Sequence, residues 1–129
     1  MGKELICLDT SILIEYYRKK DKSKTKFVQL SKRYSFAVSV IVKLEILVGI
    51  NKDQQEFWKQ VFDKIKILPL QEEDVGVAAQ ILRDLTKRNK IIGLKDTLIA
   101  SSAIALDLQL STLNFKDFER IENIKLIYA

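Results

Sequence analysis

The chain has 129 residues, 47% of them hydrophobic, enough for one domain with a proper core and too few for two comfortable ones. It contains no histidine and one cysteine, which excludes Ser-His-Asp catalysis, an imidazole base and any zinc site built on histidine or several thiolates. Twenty-two Lys and Arg against 17 Asp and Glu give a net charge of +5, a modest bias toward polyanions, and hydrolysis in such a chain calls for carboxylates with a hard cation such as Mg²⁺ or Mn²⁺.

In chain order, Leu5-Ile6-Cys7-Leu8 is a run of four apolar residues. That length suits a strand buried on both faces, as in a parallel sheet. Cys7 inside it reads as a small buried thiol in a reducing, cytoplasmic setting. The period then changes to helical, with Ile12, Leu13, Tyr16 and Tyr17 on one face and Thr10 or Ser11 placed to cap. Asp9 stands at the change. Ligands bind in the crevice beyond the carboxyl ends of strands in open α/β sheets, so Asp9 is a candidate site residue. Alone, it is equally explained as an acid at a helix N-terminus.

The most basic stretch follows, from Arg18 to Lys26, then a short amphipathic piece from Phe27 to Arg33. The basic run reads first as a solvated loop and second as a contact for phosphates or an acidic partner. Ser35 to Ser39 is a second strand, and Ser39 is placed to cap an apolar helix from Val40 to about Ile50. Glu45 shares a face of that helix with Ile41, Val42, Val48 and Gly49, so it calls for a cation, a basic partner, or a helix less buried than it looks. Asn51 to Asp63 carries Phe57, Trp58 and Phe62 and reads as an amphipathic helix whose aromatics serve the core or a dimer contact.

Lys64 to Leu68 is a third strand, stopped by Pro69. A long helix from Gln71 to Asn89 is expected to bury Val75, Ala78, Ala79, Leu82 and Leu85. A turn through Gly93 then enters a helix with Asp96 near its first turn and the small residues Ala100 to Ala103, which allow close packing. Leu108 to Thr112 is a fourth strand. Asn114 and Asp117 after it have the spacing of a capping box. Leu126 to Tyr128 reads as a final edge strand. Strand-helix alternation implies a parallel sheet with right-handed crossovers. Apolar runs are broken by charge before about 18 positions, so no membrane span is expected.

Asp9, Asp96 and the Asn114 to Asp117 segment adjoin sheet elements or turns, and Glu45 interrupts an apolar helix. Together they suggest one acidic pocket, and clustered carboxylates are best explained as a metal site. Four stretches, Leu8 to Ser11, Ser39 through Glu45 to Gly49, Asp96 to Ala100, and Thr112 to Phe118, run in order across nearly the whole chain. In these the sequence resembles the PIN domain, and most closely the VapC-type ribonuclease toxins of toxin-antitoxin pairs.

The resemblance implies a three-layer α/β/α fold with a central parallel sheet and an Mg²⁺ or Mn²⁺ dependent endoribonuclease. Asp9, Glu45 and Asp96 match the three main family acids and Asp117 the more variable fourth. Asn114 stands where some relatives carry Asp, while Ser11 and Thr112 match polar positions that support the acids. It further implies an RNA substrate, products with a 5′-phosphate and a 3′-hydroxyl, a cognate antitoxin and a homodimer. The competing reading is a PIN-like RNA-binding or interaction module without turnover, which would gain nothing from carboxylates that repel phosphates.

Overall fold

The computed structural model describes residues 2–128. Four strands, β1 (Glu4–Leu8), β2 (Tyr34–Ser39), β3 (Lys66–Leu68) and β4 (Leu110–Ser111), form one sheet in the order β3-β2-β1-β4. All pairings are parallel, with Ile6 opposite Phe36, Leu8 opposite Ser111 and Ser39 opposite Leu68. Parallel strands covered on both faces need continuous apolar runs, and Ile6, Leu8, Ala37 and Val38 are all at 0% exposure. Burial pushes the Cys7 thiol up to about 12, as an inert core residue requires.

The chain moves from β1 to β2 to β3 along one direction of the sheet and then returns to place β4 on the other side of β1. The order therefore reverses between β1 and β4. That gap is the topological switch point, where a crevice opens beyond the carboxyl ends of the strands.

Helices flank the sheet: α1 (Thr10–Arg18), α2 (Lys26–Ser31), α3 (Val40–Gly49), α4 (Gln55–Asp63), α5 (Glu72–Lys87), α6 (Leu94–Ala105) and α7 (Phe115–Phe118). Trp58 and Phe62 of α4 are buried, and Phe57 meets Tyr17 edge-on with ring centroids 5.1 Å apart, so the aromatics belong to the core. Ala100 to Ala103 are buried against α5, where Ser102 Oγ donates to the buried Asp74 carboxylate at 3.0 Å. No helix among the described residues is long and apolar enough to cross a membrane.

Several expectations change. Asp9, rather than Thr10 or Ser11, occupies the N-cap position of α1. Val75 is 53% exposed, because α5 turns Asp74, Ala78, Ile81 and Leu85 inward instead. Leu126 to Tyr128 is not a strand: β4 has only two residues to offer, and pairing shrinks to one bridge between Leu110 and Leu126. Helix α3 keeps Val42 and Ile46 inside but exposes Leu44, Leu47 and Val48, the last at 78%. Two lysines of the basic stretch close the end of α1: Lys22 Nζ donates to the carbonyls of Tyr17 (2.7 Å) and Lys19 (2.9 Å), and Lys19 pairs with Glu15.

Candidate active site

Asp9 is fixed where β1 ends. Its backbone N–H donates to the Ser111 carbonyl at 2.9 Å, tying it to β4 across the switch point. Although Asp9 sits at the N-cap position, its carboxylate makes no capping bond. Oδ2 instead accepts from Ser11 Oγ and from Thr112 Oγ1, both at 2.8 Å. These hydroxyls are held in turn, since Ser11 Oγ accepts the Leu113 N–H (3.0 Å) and Thr112 Oγ1 accepts the Asn114 N–H (2.9 Å). The backbone after β4 thus aims two hydroxyls at one carboxylate that is only 4% exposed. The alternative reading of Asp9 as a helix cap is not met by any side-chain bond, and Ser11 and Thr112, expected as supporting residues, both bond to its carboxylate.

Glu45 comes from α3, whose start is capped by Ser39 Oγ accepting the Ile41 N–H at 3.1 Å, as expected. Its Oε1 accepts a 2.8 Å bond from Thr10 Oγ1, the residue next to Asp9. Sequence reasoning missed this part for Thr10, reading it only as a cap. The available signal was a hydroxyl beside an acid at a helix start. Glu45 also borders a cavity of about 250 Å³ lined by Ile14, Tyr17 and Trp58 among others.

Asp96 lies in the first turn of α6. Its carboxyl is pushed up to about 6, first by burial and then by the charges of Asp9, Glu45 and Asp117, with Lys95 opposing. Asp96 therefore feels the charges of the other three predicted acids. Asp117, on α7, is the least isolated, because it accepts from Asn114 Nδ2 at 3.0 Å and lies 3.8 Å from Arg120 Nη1. The capping-box reading of Asn114 and Asp117 is replaced by this direct side-chain bond, and the Asn114 side chain makes no cap bond to α7.

Among the described residues no three acidic, thiol or imidazole groups converge closely enough to hold a metal as they stand. The donor set nevertheless fits a hard divalent cation: it is all oxygen, and no ion pair among the described residues includes Asp9, Glu45 or Asp96. With no Lys or Arg paired to them among the described residues, these three carboxylates lack a neutralising charge of their own.

A parallel sheet flanked by helices, with Asp9 at the end of β1 beside the switch point, defines an α/β protein of the open-sheet class. The chain belongs to the PIN domain family, whose family model matches residues 6–124. It is 35% identical over 130 residues to ribonuclease VapC1 of Rickettsia felis, covering 95% of this chain and 94% of that protein. Ribonuclease VapC1 of Methanocaldococcus jannaschii is 33% identical over 122 residues, covering 94% and 84%. Among solved structures, VapBC2 from Rickettsia felis bound to a DNA fragment from their promoter matches with a TM-score of 0.80 at 29% identity, covering 95% of this chain and 97% of that one. The parallel fold and the family expected from the sequence are both found.

Proposed function

We propose that the chain is a VapC-type endoribonuclease, dependent on Mg²⁺ or Mn²⁺ and acting as the toxin of a toxin-antitoxin pair in the reducing cytoplasm. It works as one PIN-like domain. The observation that carries this reading is that Asp9, Glu45 and Asp96, with Asp117 beside them, act on one another beyond the strand ends while the first three have no ion-pair partner among the described residues, in a chain whose relatives are named ribonucleases. A divalent cation bound there supplies a polarised water and neutralises charge at the phosphodiester.

The chain's own residues position the donors. Ser11 and Thr112 lock the Asp9 carboxylate, leaving Oδ1 free of those two bonds. Thr10 sets the Glu45 carboxylate. Asp117 contributes less charge, being partly offset by Arg120. Thr10→Val, which removes the hydroxyl at nearly constant volume, is expected to weaken Mn²⁺ binding by roughly tenfold, the lower range for loss of a group that orients a ligand. Thr10→Ser should restore it. Calorimetric titration of Mn²⁺ into the three proteins checks this, and equal affinities would assign Thr10 to the helix start alone.

An antitoxin as partner is supported by the likeness to VapBC2 and by Leu44, Leu47 and Val48, an exposed apolar row of the kind a protein partner covers. Expressed alone, the chain is expected to arrest growth, and coexpression with the product of the adjacent gene to relieve it. Asp96→Asn should not arrest growth. Arrest that persists in that variant would separate the toxicity from RNA cleavage.

A further inference from the structure

A cluster of carboxylates repels the polyanion it is proposed to cut, so the substrate needs a cationic hold nearby. Beside Asp117 the end of α5 and helix α7 meet around an open cleft of about 580 Å³, lined by Arg88, Lys90, Lys116, Glu119 and Arg120. Four of these five side chains are cationic. Arg88 donates Nε and Nη2 to Asp84 at 3.0 and 2.6 Å, and Nη2 also to the Arg120 carbonyl. Arg120 donates Nη1 to the Ile91 carbonyl at 2.8 Å. Both guanidiniums are half-buried and fixed, yet Arg88 Nη1 and Arg120 Nε and Nη2 make no hydrogen bond among the described residues. Lys90 and Lys116 are exposed, and neither forms an ion pair there.

We infer that this cleft is a phosphate-binding shelf that holds the backbone of single-stranded RNA on the α7 side of the acidic site. The assignment rests on the ribonuclease reading. Fixed planar guanidiniums with spare N–H groups match phosphate oxygens, and the two free ammoniums add charge without fixing register. Arg120 lies 3.8 Å from Asp117, whose charge reaches Asp96, so the shelf borders the acids. That continuity favours the substrate over an acidic protein segment. The denser positive run from Arg18 to Lys26 is less suited, since Lys19 and Lys22 are engaged at the end of α1.

The test is fluorescence anisotropy of a labelled oligouridylate with the full chain in chelator, over a range of salt concentrations. Lys90→Gln with Lys116→Gln should weaken binding and make the slope of log affinity against log salt shallower by about 1.4, two single-strand phosphate contacts at about 0.7 each. Lys20→Gln with Lys24→Gln removes the same charge from the other basic stretch and should leave the slope as in wild type. An unchanged slope in the first pair, or an equal loss in the second, overturns the shelf. So does polyglutamate of equal charge competing as well as unlabelled RNA. Cleavage of total RNA by the same wild-type sample in Mn²⁺ is scored separately. Cleavage with an unchanged slope removes only the shelf, whereas salt-sensitive binding without cleavage removes the ribonuclease reading.

Discussion

Asp9→Asn is expected to lower RNA cleavage by roughly a thousandfold or more, about 4 kcal/mol of barrier at about 1.4 kcal/mol per decade. The amide has nearly the volume of the acid, and its oxygen can still accept from Ser11 and Thr112, so the hydroxyl network and the fold should persist. What is lost is one negative charge at a position with no protein cation. Glu45→Gln and Asp96→Asn should behave alike for the same reason. Asp117→Asn should cost less, because Arg120 at 3.8 Å and Asn114 at 3.0 Å already share that carboxylate. Rates on total RNA, together with circular dichroism of each variant, check the series. An Asp9→Asn protein that cuts at the wild-type rate would make the bonds from Ser11 and Thr112 purely structural.

The second large effect is on stability, and its sign changes with metal. Without a cation the Asp96 carboxyl titrates near 6 in the folded chain against an ordinary value of 3.8, so the folded state binds the proton more tightly than the unfolded one. Its contribution is therefore full below about pH 4 and is lost as pH rises through about 6. In chelator, Asp96→Asn should escape that loss and melt at or above wild type at neutral pH. Metal reverses the order. A cation at about 100 times its dissociation constant contributes roughly 2.7 kcal/mol to the folded wild type. For a domain of this size that is a rise of roughly ten degrees. The variant should gain little. Thermal melts of both proteins across pH, in chelator and in millimolar Mn²⁺, decide it, and equal metal shifts would remove Asp96 from the ligand set.

The parts of this molecule legible in the sequence are those where one physical demand acts alone. Leu5 to Leu8 and Phe36 to Val38 had to be apolar throughout because both faces of a parallel strand are covered. Asp9 could be singled out because it ends such a run. Apolarity does not say what covers a residue, however, and α3 looked like core although Leu44, Leu47 and Val48 face outward. Leu126 to Tyr128 has strand-like residues but only a two-residue neighbour, a tertiary fact no local pattern carries.

Helix ends carry no glycine signal where the left-handed residue is Asn or Asp. Asn89 and Asp107 take φ of 56° and let Lys90 and Leu108 donate back to Leu85 and Ala103. Long-range side-chain contacts were the least visible. The Thr10 to Glu45 bond spans 35 positions, and Arg88 meets Arg120 across 32. The family resemblance named Asp9, Glu45, Asp96 and Asp117 together, and in the fold the charges of the other three all act on Asp96. Only the fold shows that Asn114 faces Asp117, and that the Asp9 carboxylate is gripped by hydroxyls instead of capping a helix.

The claim that the acidic cluster at the β1/β4 switch point is a metal-dependent RNA-cleaving site is tested most directly by titrating Mn²⁺ into the wild type while bound metal and RNA cleavage are read from the same samples. Bound Mn²⁺ is followed by electron paramagnetic resonance and cleavage by gel. The account predicts no cleavage in chelator, a cleavage rate that rises with occupancy at one common midpoint, and loss of both signals in Asp9→Asn. Cleavage undiminished by chelator, or Mn²⁺ bound as tightly by Asp9→Asn as by wild type, would contradict it.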